Sequence, residues 1–308
     1  MKIKAAVIQI GSVPFDACAT VEKVGEHVRA AAAQGAELVV LPEALVSAYP
    51  KGVDFGARVG GRLPEGRDAF LRYFDSAIDV PGTHTDRLAE ICREARVHMV
   101  IGVIERDGGT LYCTVLFFSP EEGLLGKHRK LMPTAMERLI WGFGDGSTLP
   151  VFETEIGRLG SVICWENYMP MLRMAMYGKG IQLYCAPTAD DSDGWTASMR
   201  HIAREGRCFV FSACQYITRA AFPADYIPIQ GNDPETVLMR GGSVIVNPLG
   251  EILAGPVYGE EATLIAEVDM DDIARGKYDF DVVGHYSRPD IFSLIVDEEP
   301  KLPVIGKE

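Results

Sequence analysis

The sequence contains no apolar run long enough to cross a membrane, and it is poor in basic residues. A membrane-spanning helix needs about 20 consecutive apolar residues, a length that no stretch of this chain approaches. The 308 residues include 30 lysines and arginines against 43 aspartates and glutamates, which gives a formal net charge of −13. This surplus favours solubility and argues against nucleic acid or an anionic membrane as a partner.

Paired cysteines are also missing. The seven cysteines are an odd number, form no C-x-x-C pair and lie mostly in apolar, strand-like runs such as LYCTVLFF. This pattern is typical of reduced core thiols and predicts a cytoplasmic protein rather than a disulfide framework. The six histidines do not stand at zinc-ligand spacings near the cysteines, so we expect no metal ion. The apolar stretch near the N-terminus is too short for a signal peptide and predicts a strand instead.

No linker rich in proline or serine divides the chain. About half of the residues are apolar (47%), which is enough for an extensive core. We therefore predict a single domain over residues 1–295, followed by a short C-terminal tail at 296–308.

Predicted strands and helices alternate in the first half of the chain, and the last third is rich in strands. In chain order they are strand Ile3–Ile10, helix 16–33, strand Leu38–Leu41, helix Thr83–Arg96, strands His98–Ile104 and Leu111–Ser119 around the hairpin turn Asp107–Gly109, helix Met169–Tyr177, strand Ile181–Cys185, helix Trp195–Glu205, and strands Cys208–Ala213, Ser243–Asn247, Glu251–Ala254 and Thr263–Val268. Such elements favour an α/β fold with layers of helix, sheet, sheet and helix. The segment Tyr49–Pro81 stands outside this alternation, either as a solvated excursion or as a lid or assembly segment.

The most informative segment is 162–170, VICWENYMP. The apolar run Leu159–Ile163 predicts a buried strand that ends abruptly at Cys164, and Pro170 can open a helix. A cysteine at such a turn presents its sulfur beside unpaired backbone N–H groups, which favour the thiolate. A buried structural cysteine explains this segment, taken alone, equally well.

Two further segments supply charged groups. The apolar strand Leu38–Leu41 delivers the carboxylate of Glu43 at its C-terminal end. A basic cluster that begins at Gly126 precedes a predicted helix and contains Lys130, with Glu137 seven residues later.

In this order, the three segments resemble the nitrilase superfamily, the carbon–nitrogen hydrolases, whose catalytic set is Glu, Lys and Cys. The matching residues are Glu43, Lys130 and Cys164, and the supporting second glutamate of the family matches Glu137. A lone cysteine would be a weak signal, but agreement of separated segments in order makes chance an unsatisfactory explanation.

The flanking residues are similar to the nitrilase branch of that superfamily. They are CWENYMP from Cys164, RLIWGFGDGS at 138–147 and HYSRPD at 285–290. The resemblance runs from Lys4 to about Leu294. It implies a nitrilase-like α-β-β-α sandwich, paired into a larger sandwich by dimerisation and often extended into spirals.

The implied chemistry explains the choice of residue types. A nitrile carbon is a weak electrophile that needs a thiolate, whereas free cysteine has a pKa near 8.5 and is largely protonated at neutral pH. Lys130 is expected to stabilise the thiolate and the anionic intermediates, while Glu43 takes the thiol proton and returns it to nitrogen. The backbone N–H of Trp165 is a candidate oxyanion donor. Glu137 either orients Lys130 or water, or is an ordinary glutamate in the first turn of a helix.

Several other residues are predicted to shape the site. The predicted substrate-binding residues are Trp165, Tyr49, Met169, Thr188 and Trp195. Core packing explains Trp165, Trp195, Tyr49 and Met169 nearly as well, and the acidic run that follows Thr188 is either a pocket wall or a solvated turn. His128 is expected to be a structural histidine despite its place near Lys130, and Glu166 and Asn167 are expected to hold the turn after the cysteine.

The resemblance therefore predicts a nitrilase that converts an organic nitrile to the carboxylic acid and ammonia through a covalent thioimidate and thioester, with no cofactor. An amidase or carbamoylase with the same catalytic set is the nearest alternative, followed by a cyanide hydratase or dihydratase. An acyltransferase and a catalytically silent assembly protein are further alternatives from other classes. The expected partners are a small nitrile and a second copy of the chain.

Overall fold

The structure is a computed structural model that describes residues 1–302 and 304. The strands are β1 Lys2–Gln9, β2 Leu38–Val40, β3 Ala57–Arg58, β4 Gly61–Arg62, β5 Ile78–Asp79, β6 His98–Asp107, β7 Thr110–Ser119, β8 Gly123–Arg129, β9 Val151–Thr154, β10 Gly157–Ser161, β11 Leu183–Cys185, β12 Phe209–Ser212, β13 Tyr216–Thr218, β14 Val237–Val246, β15 Ile252–Tyr258 and β16 Ala262–Asp269. The α-helices are α1 Ala17–Ala33, α2 Pro64–Ser76, α3 Thr83–Ala95, α4 Pro170–Gly178, α5 Asp193–Gly206 and α6 Asp271–Lys277. Of the predicted tail at 296–308, positions 303 and 305–308 lie outside the described residues.

Two sheets form the centre of the fold. The first has the order β16-β1-β2-β6-β7-β8, with β5 against β6, and the second has the order β13-β14-β12-β11-β10-β9, with β15 against β14. Strands β1, β2 and β6 run parallel, as do β10, β11 and β12. Parallel neighbours bring their C-terminal ends to one edge of a sheet, where ligand sites of α/β folds are built.

The sheets stack face to face and carry helices on their outer faces. Apolar side chains of both sheets, such as Val100 and Phe211, share one buried cluster. Helices α1 and α3 cover the outer face of the first sheet, whereas α4 and α5 cover that of the second. This arrangement confirms the predicted α-β-β-α sandwich.

The segment Tyr49–Pro81 contains more regular structure than the sequence predicted. It forms the small β3–β4 hairpin, helix α2 and strand β5. Tyr73 of α2 is fully buried, and its hydroxyl donates to the carbonyl of Ala48 at 3.1 Å. The helix escaped detection because charged residues and glycine dilute its apolar stripe. The segment is therefore anchored to the body of the fold and is not a solvated excursion.

Other elements differ from the prediction mainly at their ends. The region of the basic cluster is strand β8, and the helix expected after Lys130 is a short 3-10 helix, Ala135–Leu139. Helix α6 had no predicted counterpart. Strands β9 and β13 had none either. Most other elements differ at their ends by a few residues, as is usual where helices fray and strands lose pairing.

The cysteines and the N-terminus follow the sequence analysis. All seven cysteines lie in the described part of the chain as free thiols, and six of them are buried. The N-terminal residues form β1 in the middle of the first sheet. Among residues 1–302 and 304, no helix combines the length and apolar character that crossing a membrane requires.

Gly102 of β6 allows the chain after β2 to lie against the sheet. A Cβ at this position would approach the carbonyl oxygen of Pro42 to 2.4 Å and the Cα of Glu43 to 2.6 Å. These are backbone atoms that no side-chain rotation can move away. The position of Glu43 therefore depends on the absence of a side chain on the neighbouring strand.

Gly102→Ala should consequently lower the free energy of unfolding by about 1–3 kcal/mol, because overpacking a filled site forces backbone shifts. Gly109→Ala is the matched control, since a Cβ in that hairpin turn meets nothing within 4 Å. Urea denaturation of both variants measures the difference. Equal stability of the two variants would contradict this packing argument.

Candidate active site

Cys164 follows β10 at the C-terminal edge of the second sheet and opens the 3-10 helix Cys164–Tyr168. Its φ of +50° lies in the left-handed region, which costs a non-glycine residue of order 1–3 kcal/mol. Its own N–H donates to the carbonyl of Pro187 at 2.9 Å, and the N–H of Ile163 donates to Glu166 at 3.0 Å. The expectation of unpaired N–H groups is therefore wrong for these two residues, because the tight turn pairs them with the chain around it.

Two buried side chains hold this turn. Glu166 accepts from the N–H of Leu131 at 2.5 Å and contacts Nε2 of His128 at 3.0 Å. Asn167 donates to the carbonyls of Val162 and Cys164 at 2.9 and 2.8 Å. Burial acts to lower the pKa of His128, but the neighbouring carboxylate of Glu166 outweighs it and raises that pKa. The histidine is structural and the two later residues hold the turn, as predicted.

Glu43, Lys130 and Glu137 form one buried chain of charges. The ammonium of Lys130 lies 2.6 Å from Oε1 of Glu43 and 2.8 Å from Oε2 of Glu137. Lys130 and Glu43 are 1% and 0% exposed, which leaves no solvent to stabilise their charges. Lys130 directly follows β8, and its N–H donates to the carbonyl of Cys113 in β7 at 2.8 Å. The ammonium thus fills the space between the two carboxylates.

Glu137 is held from two further directions. Its Oε2 accepts from the N–H of Thr134 at 2.6 Å, which caps the first turn of the 3-10 helix, and its Oε1 accepts from the hydroxyl of Tyr49 at 2.6 Å. The sequence analysis left open whether Glu137 is an ordinary first-turn glutamate. The side chain fills both roles here, since it caps the turn and binds Lys130.

Only one oxygen of the Glu43 carboxylate binds Lys130. The other, Oε2, is buried and lacks a hydrogen-bond partner among the described residues. Burial raises the pKa of Glu43 more strongly than the ammonium of Lys130 lowers it. A buried carboxylate with one unpaired oxygen and a raised pKa is suited to accept a proton.

Burial raises the pKa of Cys164 to about 12, and the negative charge of Glu43 adds to this effect. Lys130 lowers the pKa, in the direction expected from the sequence, as does a hydrogen bond from Thr188, whose Oγ1 lies 3.3 Å from Sγ. Because burial is the largest effect, the balance favours the thiol.

A cavity of about 200 Å³ opens onto Cys164. Its walls include the predicted residues Tyr49, Glu137 and Trp165, and the Nε1–H of Trp165 donates to Asp190 at 2.8 Å. The cavity therefore gives access to the sulfur, while Glu43 and Lys130 lie buried behind it.

The structure does not bring Trp195 and Met169 to this cavity. Trp195 is 2% exposed in the core under α5, and its Nε1–H donates to Ser212 at 2.8 Å. Met169 packs against the same cluster at the start of α4. The core-packing interpretation thus fits both residues better than a pocket wall, because both pack in the cluster between the second sheet and its helices.

Sequence reasoning found part of the cavity wall and missed the rest. Asp190 and Asp191, in the acidic run for which a pocket wall and a solvated turn were both open, line the cavity. Lys51 and Thr134 also line it but were not singled out, because their segments carried no recognisable period. Cys113 was taken only as a core thiol, yet its Sγ lies 3.4 Å from Oε1 of Glu43.

Comparison with known proteins identifies the class to which this fold and site belong. The family model described as carbon-nitrogen hydrolase matches residues 4–278. The chain belongs to this carbon–nitrogen hydrolase family.

The chain is similar to several nitrilases over most of its length. It is 60% identical over 306 residues to an aliphatic nitrilase of Sinorhizobium fredii, covering 99% of both chains. It is 53% identical over 308 residues to a bifunctional nitrilase/nitrile hydratase of Lupinus angustifolius, covering 98% of this chain and 88% of that protein. The solved structure of an amidase from Nesterenkonia sp. shares the fold with a TM-score of 0.66 at 20% identity, covering 88% of this chain and 92% of that one.

The charges around Cys164 predict how its reactivity changes with pH. Iodoacetamide should alkylate Cys164 with a midpoint well above 8.5, the pKa of a free thiol, because burial and Glu43 both oppose the thiolate. Glu43→Gln should lower this midpoint by about one unit or more, since it removes a negative charge near the sulfur.

Peptide mass spectrometry across a pH series measures the alkylation of each cysteine separately. The exposed Cys18 serves as an internal control whose profile should not respond to Glu43→Gln. An unchanged midpoint at Cys164 in that variant would contradict the coupling between the two groups.

Proposed function

We propose that the chain is a nitrilase that hydrolyses an organic nitrile to the carboxylic acid and ammonia. The observation that carries the proposal is the approach of the Glu43–Lys130–Glu137 charge chain to a strained, accessible cysteine. The similarity to proteins named nitrilase, at 52–60% identity, supports the choice of a nitrile as substrate.

The first proposed step forms a covalent thioimidate. The sulfur of Cys164 attacks the nitrile carbon while the thiol proton passes to Glu43, whose Oε2 has no other partner among the described residues. Glu43 then delivers this proton to the nitrile nitrogen as negative charge develops there. Lys130 stabilises the same charge, and no free thiolate has to accumulate, which suits the raised pKa of Cys164.

The later steps consume two water molecules. The first water, activated by Glu43, adds to the thioimidate carbon, and ammonia leaves from the tetrahedral intermediate to give a thioester. The second water hydrolyses the thioester, which releases the carboxylic acid and restores the thiol. Glu137 keeps Lys130 in place during both additions through its 2.8 Å contact.

A second outcome of the same intermediate is amide release. If the carbon–sulfur bond breaks before the carbon–nitrogen bond, the product is the amide and one water is consumed. The Lupinus angustifolius relative is named for both activities, which favours this outcome as a side reaction. An amidase or carbamoylase remains the alternative main function with the same residues.

An adjoining cavity supports a nitrile with an apolar substituent. This cavity measures about 390 Å³ and shares Tyr49, Lys51, Thr134 and Glu137 with the one at Cys164. Its further walls include the apolar side chains of Val53, Phe55 and Ile140. We propose that the substituent occupies this space, with the nitrile carbon at the sulfur.

The nitrilase proposal predicts that Cys164 is the nucleophile and that a nitrile is the substrate. Cys164→Ala should abolish ammonia release from nitriles and leave folding intact, because a small residue is tolerated beside a cavity. Cys92→Ala, at a buried thiol on α3 away from the site, is the matched control and should retain turnover. The readout is ammonia release from a nitrile and, separately, from its amide.

The nitrile should be the better substrate, and a slow nitrile should leave an acyl adduct on the peptide that contains Cys164. An adduct on another cysteine would refute the nucleophile. Ammonia release from the amide alone would refute the nitrilase in favour of an amidase.

We further propose that the chain forms a homodimer, able to extend into spirals, through the outer face of α4 and α5. Met171 and Tyr168 expose 72% and 44% of their surface at this face, which an assembly would bury. A groove there is lined by Arg173, Ala197 and His201 among others. A cytoplasmic location is also proposed, on the grounds of the unpaired cysteine pattern in the sequence.

Assembly should depend on salt, because the net charge of −13 repels copies of the chain most strongly at low ionic strength. Light scattering of the purified protein should find at least a dimer, with larger species as salt increases. A fully active monomer would contradict the dimer, and assemblies that shrink with added salt would contradict the charge argument.

A further inference from the structure

Three side chains from separate segments meet far from the cavity at Cys164. His98 begins β6, Glu121 lies in the turn between β7 and β8, and Glu155 lies in the turn between β9 and β10. One ring nitrogen of the histidine and one oxygen of each carboxylate all lie within 4.8 Å of one another. We call these three residues the His98 cluster.

The cluster lies at the end of the sheets opposite to the candidate active site. Leu38 begins β2 and pairs with His98, whereas Glu43 follows the C-terminal end of the same strand. In the second sheet, Glu155 precedes β10 and Cys164 follows it. The His98 cluster is therefore no part of the chemistry proposed above.

The ring of His98 has a buried nitrogen, Nε2, that is available to bind a ligand. The side chain is 4% exposed, and its Nε2 has no hydrogen-bond partner among the described residues. The backbone N–H of His98 donates to the carbonyl of Glu37 at 2.8 Å, which fixes the start of β6. A buried ring nitrogen without a partner is available to bind a metal ion, for which histidine is the commonest ligand.

Neither carboxylate of the cluster makes a hydrogen bond with Nε2 of His98. Glu155 Oε2 lies 3.2 Å from Nε2, but the angles do not make a hydrogen bond. Nε2 and the carboxylates of Glu155 and Glu121 thus face one another without a hydrogen bond, an arrangement that a cation between them would stabilise.

We propose that His98, Glu121 and Glu155 bind a divalent transition-metal ion of the zinc type. Zinc binds imidazole and carboxylate at about 2.0–2.2 Å in a tetrahedron, so two of its ligand atoms lie about 3.3 Å apart. The Nε2-to-Oε2 distance of 3.2 Å matches such an edge. Glu121 is exposed in a turn and can close the remaining distance by side-chain rotation, and water completes the tetrahedron.

The bound ion connects the two sheets. His98 and Glu121 belong to the first sheet and its turn, whereas Glu155 belongs to the second. A cation that requires all three ligands binds the folded chain and not the unfolded one, so it stabilises the fold. This inference revises the sequence expectation of no metal, which considered histidines only near cysteines.

Binding of Zn²⁺ to the full-length protein, measured by isothermal titration calorimetry, tests the site. His98→Gln should remove one bound ion per chain. Glu155→Gln and Glu121→Gln should each lower the affinity for that ion at least tenfold. Glu122→Gln is the matched control, a neighbouring turn carboxylate outside the cluster, and should bind as the unmodified chain does. Mg²⁺ should not compete, because imidazole is a poor ligand for it.

Two readouts separate this site from cysteine sites. Cys18 and His84, 3.4 Å apart, could also hold an ion, but cobalt bound there shows a thiolate charge-transfer band that a histidine–carboxylate site lacks. Zn²⁺ should raise the melting temperature of the unmodified chain and of Glu122→Gln, and not that of His98→Gln.

Several outcomes would overturn the site. The proposed site is wrong if the unmodified chain, Glu155→Gln and Glu121→Gln bind zinc with equal stoichiometry and affinity. It is also wrong if the unmodified chain binds no zinc. If His98→Gln does not fold, the variants of the two exposed glutamates still test the site.

Discussion

The buried ammonium of Lys130 is the interaction on which the site depends. An isolated charge in the interior costs several kcal/mol, so neither Glu43 nor Glu137 is tolerated there as a carboxylate without a cation between them. Lys130 meets both at 2.6 and 2.8 Å and uses two of its three N–H groups. Loss of Lys130 would leave two buried carboxylates without a cation, whereas loss of either glutamate would still leave one ammonium–carboxylate pair.

This arrangement also sets the protonation state of the nucleophile. Because two carboxylates already balance Lys130, the site offers no net positive charge to Cys164, and burial raises its pKa to about 12. A free thiolate at neutral pH then costs several kcal/mol. In the proposed mechanism, transfer of the proton to Glu43 during attack avoids that cost, since the charge never rests on sulfur alone. Lys130 would then act mainly on the charge of the intermediates rather than on the resting thiol.

The layers of the fold, the central charges of the site and part of the cavity wall could be predicted from the sequence, but the rest of the wall could not. Glu43 and Cys164 could be found because each ends an apolar strand, and such strands are recognisable by composition and length. Helix α2 could not, since charged residues mask the stripe that buries Tyr73. Trp195 was misplaced because an aromatic residue near a candidate site fits a pocket and a core equally well, and only tertiary packing decides between them. Lys51 reaches the cavity from a segment without a period, where local patterns carry no information.

The geometry of the site is fixed by the core between the sheets. Glu43 and Lys130 follow strands of the first sheet, whereas Cys164 and Thr188 follow strands of the second. The distance between the Glu43 carboxylate and the Cys164 sulfur therefore depends on the spacing of the two sheets. Close-packed side chains such as Val100 and Phe211 maintain that spacing. Wall residues such as Lys51 and Asp190, by contrast, lie in loops outside the two sheets. Substrate choice can therefore change through residues such as Lys51 and Asp190 while the proposed chemistry stays on the rigid part of the fold.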